Sequence, residues 1–438
     1  MKALLTERVQ KGYPDEPLLA ATQSQGVIRK SDYATRTVTV TKDLHLLKLV
    51  EIGDFVISLR SFQGGIERCF HRGIISPAYT VLTARSDSYR DYLTYLFKSK
   101  PFVSSLTLSV TGIREGQNID YSKLSMEMLP VPPHEDRKAI VKYLAHANAR
   151  IDKVIASKRQ LIALLEERYL GGREEFVIGQ GCDVQVSTQN PWIPYAPGHW
   201  KVMRLKQVLK GIEQGWSPQC DTQPASLDEW GVTKAGCSNY GQFRSEENKR
   251  LSDGLEARPW LEIQHGDLLV SRANTRELVG SAAVALNPRM KLMFSDKTFR
   301  LKVRKSQVDP EFLVLAMSVR SARGQIEAGA VGASHSMQNI SQGVIADLWI
   351  ALPPIDEQVK IVTQVRQLYA ATTHVIEKSL REIELLQEFR TRLVADVVTG
   401  QVDVRAIAAT LPDTPESSLD LTGDSDDVLE GIMEDQSE

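Results

Sequence analysis

Two stretches of the chain carry apolar residues at the alternating 4-3 spacing of a helix that packs along another helix. The first stripe is broken only at Lys158. Apolar positions that recur every 3.5 residues form the seam of a coiled coil. The stripes consist of Ile140, Leu144, Ala147, Ile151, Val154, Leu161 and Leu165, and of Ile361, Val365, Leu368, Thr372 and Val375. Because two similar stripes in one chain have each other as partners, they predict two paired long helices; packing of each on its own domain is the alternative.

Proline pairs mark the predicted start of both helices. Pro132-Pro133 and Pro353-Pro354 stop the preceding strand, and acidic residues follow in the next turn, where they suit the dipole of a helix N-terminus. Glycines mark the predicted ends, Gly171-Gly172 for the first helix and Gly400 for the second. Each helix is therefore expected to run for roughly five heptads.

The chain repeats itself at an offset of 221 in residue number. Leu129–Val141 resembles Ile350–Val362, and the same offset carries Gln117-Asn118-Ile119 onto Gln338-Asn339-Ile340. Farther upstream, Gly53–Ser58 resembles Gly266–Ser271 at an offset of 213. Self-similarity at a long period indicates that each half of the chain is one structural module.

Each module begins with a mixed segment of short strands and helices. Predicted strands include Phe55–Ser58, Leu268–Ser271 and Thr298–Val303, and predicted helices include Arg90–Lys98 and Pro310–Arg320. These patterns predict α+β globular lobes. Between the halves, the proline-rich segment Asn190–Gly198 predicts an extended connector.

The distribution of charge separates the body of the chain from its end. The 438 residues have a formal net charge of −2, but the last ten acidic residues follow Arg405, with no Lys or Arg among them. Without that tail, 53 basic residues face 45 acidic residues, so the body carries about +8. A basic body is compatible with a nucleic-acid partner without requiring one, and the acidic tail is expected to be disordered.

No constellation typical of catalysis or metal binding is readable. The cysteines Cys69, Cys182, Cys220 and Cys237 lie far apart, and the chain contains no Gly-Lys dipeptide of a phosphate-binding loop. No apolar run approaches the roughly 18 residues of a membrane span. We therefore expect no catalytic residues, no metal ligands and no membrane association, in a cytoplasmic protein with free thiols.

A set of short motifs, taken in order, resembles one protein family. The motifs are Gly198-x-Trp200-x-x-x-Arg204-Leu205, Gly266–Ser271, Gln338-Asn339-Ile340, Leu352-Pro353-Pro354-x-x-Glu357-Gln358-x-x-Ile361 and Val394–Gly400. Each is weak alone, but their order is similar to that in the DNA-specificity subunit of type I restriction-modification systems. The resemblance spans residues 45–405.

The resemblance implies a fold and a set of partners. It implies an α+β protein in which two globular target-recognition domains are joined by two long antiparallel helices that form a coiled coil, with pseudo-two-fold symmetry from the tandem repeat. Each domain would read half of a bipartite site in double-stranded DNA. Two methyltransferase subunits, with S-adenosylmethionine, and restriction subunits, with ATP and Mg, would join the complex, so this chain itself is expected to bind no cofactor and to be no enzyme.

These arguments give a division into six segments. At the offset of 213, the first-half counterpart of the Gly198–Trp200 block would fall before Met1, so the first recognition domain is expected to be shortened at its N-terminus. The segments are a first recognition domain (1–130), a first helix (131–172), a linker (173–197), a second recognition domain (198–351), a second helix (352–405) and a disordered acidic tail (406–438).

Candidate DNA contacts are polar or cationic residues on loops that could reach base edges or phosphates. The segment after the Gly-Asp strand supplies several of them in both halves, and other loops supply the rest. In the first half they are Arg60, Ser61, Gln63, Arg68, Arg72, Arg114 and Asn118. In the second half they are Lys234, Ser238, Asn239, Tyr240, Arg272, Asn274, Arg276, Ser336, Gln338 and Asn339.

Alternatives remain open at this point. Asn118 and Asn339 could close a turn before the last strand instead of contacting DNA. A coiled-coil adaptor whose lobes bind proteins is the second interpretation of the whole chain, and an enzyme with its own nuclease or methyltransferase activity is the third.

Overall fold

The structure, a computed structural model, describes residues 1–22, 26–32, 43–59, 61–111, 118–182, 184–334 and 337–415. It divides into a first unit (residues 1–161 and 378–438) and a second unit (162–377). Two long helices, α5 (His134–Ile178) and α9 (Ile355–Val398), each begin in one unit and end in the other. Among the described residues, none of the helices is long and apolar enough to cross a membrane.

The described residues of the first unit form ten short strands and, besides parts of the two long helices and three short 3-10 helices, five short α-helices. The strands are β1 (Leu5–Arg8), β2 (Leu19–Thr22), β3 (Gly26–Arg29), β4 (Lys48–Val50), β5 (Phe55–Ile57), β6 (Glu67–Arg68), β7 (Gly73–Ile75), β8 (Thr80–Ala84), β9 (Val110–Thr111) and β10 (Asn118–Ile119). The helices are α1 (Ser61–Gly64), α2 (Asp87–Leu96), α3 (Lys100–Leu106), α4 (Tyr121–Leu124) and α10 (Arg405–Thr410).

The second unit contains fourteen strands, three short α-helices and three 3-10 helices in its described part. The strands are β11 (Gln185–Ser187), β12 (Tyr195–Pro197), β13 (Lys201–Arg204), β14 (Leu209–Gln214), β15 (Gly231–Thr233), β16 (Asn248–Arg250), β17 (Leu268–Ser271), β18 (Ala273–Asn274), β19 (Ala282–Val284), β20 (Leu292–Met293), β21 (Thr298–Val303), β22 (Val331–Ser334), β23 (Met337–Asn339) and β24 (Trp349–Leu352). The helices are α6 (Pro310–Ser318), α7 (Arg320–Gly329) and α8 (Gln342–Ala346).

The largest sheet has the same topology in both units. Its antiparallel order is β1-β8-β5-β6 in the first unit and β14-β21-β17-β19 in the second. The Gly-Asp motifs found in the sequence precede β5 and β17, which occupy equivalent positions. The internal repeat predicted from sequence is therefore confirmed at the level of strand order.

A tight turn before these strands explains the Gly-Asp motif. Gly53 and Gly266 adopt left-handed backbone angles (φ 91° and 84°), which cost glycine little and other residues more. The Asp267 carboxylate accepts a hydrogen bond of 2.9 Å from the backbone N–H of Gln264. The Asp54 carboxylate accepts one of the same length from the backbone N–H of Glu51. Each aspartate thus closes the turn that starts its strand.

The two aspartates are neutralised by arginines from different strands. Asp54 is buried and pairs at 2.7 Å with Arg8 of β1. Asp267 pairs at 3.0 Å with Arg300 of β21, whose guanidinium also contacts Glu213 at 2.6 Å. The sequence repeat contains the aspartate in both halves but not a matching arginine, so neither ion pair was predictable from the repeat.

Each long helix is bonded at its start to the lobe that precedes it. The buried Gln358 side chain donates to the carbonyls of Gln307 (3.0 Å) and Pro353 (2.8 Å) and accepts from the backbone N–H of Asp309. Arg137, its counterpart in the first repeat, donates to the Pro132 carbonyl at 2.7 Å and to the Ser88 carbonyl of the preceding lobe at 3.4 Å. The prediction that both helices begin directly after a proline pair is confirmed.

The predicted end of the first helix was wrong, and that of the second is confirmed. α9 ends before Gly400, which is left-handed (φ 76°), and α5 ends before Gly179 (φ 68°), the corresponding position of the first repeat. Gly171-Gly172 stays helical. A Cβ on Gly172 would lie 3.0 Å from a methyl carbon of Leu368, so glycine there permits close helix packing instead of ending the helix.

The two helices run antiparallel within each unit. In the first unit, Asp152 forms an ion pair with Arg390, and Lys158 with Glu382. In the second unit, the rings of Tyr169 and Tyr369 lie 5.5 Å apart. Later positions of α5 therefore pair with earlier positions of α9, and the prediction of paired long helices is confirmed.

The seam on α5 differs from the predicted stripe by one residue in places. Val154 is 44 % exposed, whereas Ile155 is 5 % exposed and occupies the buried position. Ile151 is buried as predicted. At Lys158, where the apolar stripe is interrupted, the two helices are joined by an ion pair between Lys158 and Glu382 of α9. On α9, Thr372 is buried within the seam.

Two segments predicted to lack regular structure are folded. Residues 185–197 form a hairpin in which β11 pairs with β12. Asn190 closes its turn by accepting a hydrogen bond from the Trp192 N–H at 2.9 Å. The prediction that this region is an extended connector was therefore wrong. Part of the predicted disordered tail forms α10, and Lys142 pairs with Asp413 at 3.0 Å. Residues 416–438 lie outside the described residues.

Replacing Arg300 with Met should destabilise the second unit by about 3 kcal/mol, because Asp267, whose side chain is only 14 % exposed, would lose its nearest and most buried cation. Lys302→Met is the matched control: Lys302 is 40 % exposed and lies 3.8 Å from the same carboxylate, so its loss should cost about 0.5 kcal/mol.

Denaturant unfolding followed by tryptophan fluorescence measures this difference selectively. All six tryptophans lie in the second unit, namely Trp192, Trp200, Trp216, Trp230, Trp260 and Trp349. Equal destabilisation by the two substitutions would show that burial of the Asp267 pair does not matter.

Candidate nucleic-acid interface

The polar segment that follows β17 joins a second, smaller sheet. β18 pairs with β23, so that Ala273 lies opposite Asn339 and Asn274 lies opposite Gln338. The backbone N–H of Ile340 also donates to the carbonyl of Arg272 at 3.0 Å. Two candidate segments that are far apart in sequence are therefore brought together.

Asn274 is the centre of a hydrogen-bond network. Its amide nitrogen donates to the side-chain oxygen of Asn239 (3.1 Å), to the Ala235 carbonyl (3.4 Å) and to the Ser271 hydroxyl (3.3 Å). Its amide oxygen accepts from the Thr275 N–H at 2.9 Å. Asn274 thus ties the end of β17 to residues Ala235–Gly241, a kinked segment of short 3-10 turns that we call the loop 235–241. This makes Asn274 a positioning residue of the surface.

The candidate residues in and beside the loop 235–241 divide into two buried and two accessible ones. Ser238 and Asn239 are buried. Tyr240 is exposed, and the Lys234 side chain, just before the loop, is partly exposed and lies 4.0 Å from Glu247. Lys234 and Tyr240 can therefore reach a bound molecule directly.

The two arginines after β17 differ in their freedom. Arg272 is half-buried and donates to the Asp296 carbonyl at 3.3 Å. Arg276 has a side chain that is 53 % exposed and pairs with Glu327 at 3.2 Å. An exposed ion pair of this kind is worth little, so Arg276 can exchange Glu327 for another anion at small cost.

The Cys237 thiol in the loop 235–241 is hydrogen-bonded to the hydroxyl of Thr233, the last residue of β15. The same hydroxyl accepts from the Ser295 N–H at 3.1 Å. Burial raises the pKa of the neighbouring Cys237 thiol above its usual range, so it stays protonated at neutral pH and lacks the thiolate of a nucleophile. Within the described part of the chain, no three His, Cys, Asp or Glu side chains converge as a metal site would require.

The first-unit candidates do not converge in this way. Ser61 is buried and accepts from the Ser58 N–H at 2.8 Å. Arg68 pairs with Asp91 at 2.6 Å, and Arg72 pairs with Glu16 at 2.8 Å. These arginines are thus held by carboxylates of their own unit, while Gln63 is exposed on α1.

Arg60, Arg114 and Ser336 lie outside the described residues, and the Asn118 backbone pairs with Thr111 in the β9–β10 hairpin. The role of Asn118 and Asn339 in DNA contact or in turn closure stays open.

A half-open cleft of about 680 Å³ adjoins the loop 235–241 in the second unit. Tyr240 and Gln242 form part of one wall, and Tyr369 of α9 forms part of another. The Gln242 amide donates to the Tyr369 hydroxyl at 3.4 Å, which links the loop to the long helix. No motif in the sequence predicted this contact.

Comparison with known proteins points to one family. Residues 197–385 match the model of the type I restriction modification DNA specificity domain. The type I restriction enzyme EcoEI specificity subunit of Escherichia coli is 31 % identical over 174 residues, which is 40 % of this chain and 29 % of that protein. The EcoKI specificity subunit of E. coli K12 is 23 % identical over 340 residues, which is 73 % of this chain and 70 % of that protein.

A solved structure has a similar fold. A chain in the structure called "Structural basis underlying complex assembly and conformational transition of the type I R-M system" aligns with 92 % of this chain and 97 % of its own length, with a TM-score of 0.56 and 16 % identity. The family match covers less than half of the chain, namely the lobe of the second unit and much of α9, and the internal repeat extends the same organisation to the first half. Residues 197–385 thus carry a type I restriction modification DNA specificity domain, and the chain is similar to type I restriction enzyme specificity subunits.

Proposed function

We propose that this chain recognises a bipartite DNA site, one half with each unit, and serves as the assembly subunit of a type I restriction-modification complex. One observation carries the proposal: a four-stranded sheet with the same strand order occurs in both units, and the same Gly-Asp turn precedes its equivalent strands β5 and β17. A protein with two copies of one recognition module is suited to two separate contacts on a duplex, with bases between them that it does not read.

The charge of the chain supports a polyanionic partner. The body that precedes the acidic tail carries about +8, and phosphate contacts by Lys and Arg supply most of the sequence-independent affinity for DNA. A protein adaptor needs no such excess. Binding that weakens steeply as salt rises would therefore favour DNA recognition over the adaptor alternative.

The chemistry of the second unit supports base recognition there. Arg276, Lys234 and Tyr240 have accessible side chains, and each lies in or within two residues of the segments that the Asn274 hydrogen bonds join. Arginine and lysine are the side chains that most often read guanine in the major groove. The second unit is therefore the better-defined of the two readers.

We further propose that the chemistry of methylation and cleavage belongs to partner subunits. Two methyltransferase subunits would bring S-adenosylmethionine, and restriction subunits would bring ATP and Mg. The named relatives are specificity subunits, which favours a recognition role for this chain without catalysis of its own.

Co-expression with its methyltransferase partner should produce DNA methylated at a motif of two specified parts separated by unspecified bases. Single-molecule methylome sequencing of the host measures this. The chain expressed without the partner should leave the DNA unmethylated. A single contiguous motif, or methylation by the chain alone, would contradict the proposal.

Arg276→Ala should weaken binding to the cognate site by roughly 1–3 kcal/mol and relax the sequence requirement in one half-site only, because a lost base contact removes discrimination locally. Competition binding with duplexes that carry single substitutions in either half measures both effects.

Arg320→Ala is the matched control, since it removes an equal charge from the same unit. The Arg320 side chain is highly exposed on α7 and lies 3.2 Å from Glu174. This substitution should leave the pattern of discrimination unchanged. If Arg276→Ala weakens binding to every sequence equally, Arg276 contacts phosphate instead of a base.

A further inference from the structure

Tyr240 has a backbone conformation that an aromatic residue rarely adopts. Its angles (φ 57°, ψ 29°) lie in the left-handed region, and Gly241 follows with φ 76°. For a residue with a Cβ this conformation is unfavourable, whereas glycine or asparagine adopts it easily. A tyrosine here therefore lowers the stability of the chain relative to Gly or Asn.

Two side chains hold this conformation in place. The Ser281 hydroxyl accepts from the Tyr240 N–H at 3.1 Å and donates to the Ser238 carbonyl at 3.2 Å, so one group fixes both sides of the turn. Ser281 directly precedes β19 of the central sheet. Asn274 holds the preceding residue through the side chain of Asn239. The strained turn is thus anchored to the most regular part of the unit.

Burial of the Tyr240 side chain within the protein does not offset the unfavourable free energy of this backbone conformation. The Tyr240 side chain is 73 % exposed, so most of the apolar surface of the ring stays in water. Residues held in sparsely populated conformations persist where the surroundings fix them, and they concentrate at sites of binding. The compensating contact is therefore expected from a bound partner.

We propose that Tyr240 is a specificity-determining residue that packs its ring against a base of the half-site read by the second unit, with Ser281 and Asn274 as its positioning residues. This inference rests on the proposed function. DNA is the partner favoured because two accessible cations adjoin this network along the chain: Lys234 directly precedes the loop 235–241, and Arg276 follows Asn274 by two residues. An aromatic ring gives apolar contact to a thymine methyl or stacks on an unpaired base.

The test uses the chain assembled with its methyltransferase partner and compares stability with recognition. Tyr240→Gly removes the ring and the backbone strain together. Thermal unfolding followed by tryptophan fluorescence should show an unchanged or higher midpoint, while affinity for the cognate duplex falls roughly ten-fold. A lower midpoint would assign Tyr240 a structural role and overturn the proposal.

Ser281 is tested by removal and by conservative rescue. Ser281→Ala should relax the methylated motif at the same base positions as Tyr240→Gly, because the turn loses the bond that aims the ring. Ser281→Thr keeps the hydroxyl and should restore the original motif. Relaxation of other positions, or no rescue by threonine, would contradict a positioning role.

Trp260→Ala is the matched control for loss of an exposed aromatic ring, since Trp260 is 70 % exposed in the same unit. It should leave the motif unchanged, and a loss equal to that of Tyr240→Gly would overturn the proposal. Co-purification of the methyltransferase should be unchanged in both variants; loss of it with Tyr240→Gly would assign the ring to a protein interface and overturn the proposal.

The two proposals fail in different ways. If the wild-type complex methylates no bipartite motif, the proposed function fails. If the wild-type complex does so and Tyr240→Gly produces the same motif with the same affinity, only the inference about the ring fails.

Discussion

The fold depends on an exchange of helix ends between the two halves of the chain. The apolar core of the first unit includes Val397 at the end of α9, together with Leu144 near the start of α5. The core of the second unit includes Val177 at the end of α5, together with Val365 of α9. Neither half of the sequence therefore contains all the residues of one core. The core of each lobe is complete only when both long helices are paired, which couples the folding of the repeats.

The offset of 221 between the two halves of the sequence predicts both the starts and the ends of the long helices when it is applied to each boundary. The offset of 221 located both helix starts, and applied to Gly400 it would have given Gly179 as the true end of α5. Local motifs were less reliable: Gly171-Gly172 resembles a helix stop, yet it serves close packing against Leu368. The heptad stripe was ambiguous by one position because Val154 and Ile155 are both apolar, and only tertiary packing decides which of them is buried.

The candidate interface was predictable by segment but not by role. A polar run after a Gly-Asp strand indicated where Arg272, Asn274 and Arg276 would lie. It did not indicate that the side-chain amide of Asn274 is hydrogen-bonded to other residues of the protein, or that the Arg276 side chain is exposed. Ser281 carried no signal at all, since its hydrogen bonds join the start of one strand to a loop much earlier in the chain. Networks built from several strands become visible only once the strand order is known.

The different origin of the arginines at the two Gly-Asp turns limits how such a chain can be recombined. Arg8 reaches Asp54 from an edge strand, while Arg300 reaches Asp267 from the strand between β14 and β17. Exchanging β1 for β14 alone would leave Asp54 without a counterion and place a surplus carboxylate, Glu213, beside it. Exchange of a whole lobe keeps each aspartate with its own arginine. Crossovers between lobes are therefore compatible with folding, and crossovers within a sheet are penalised.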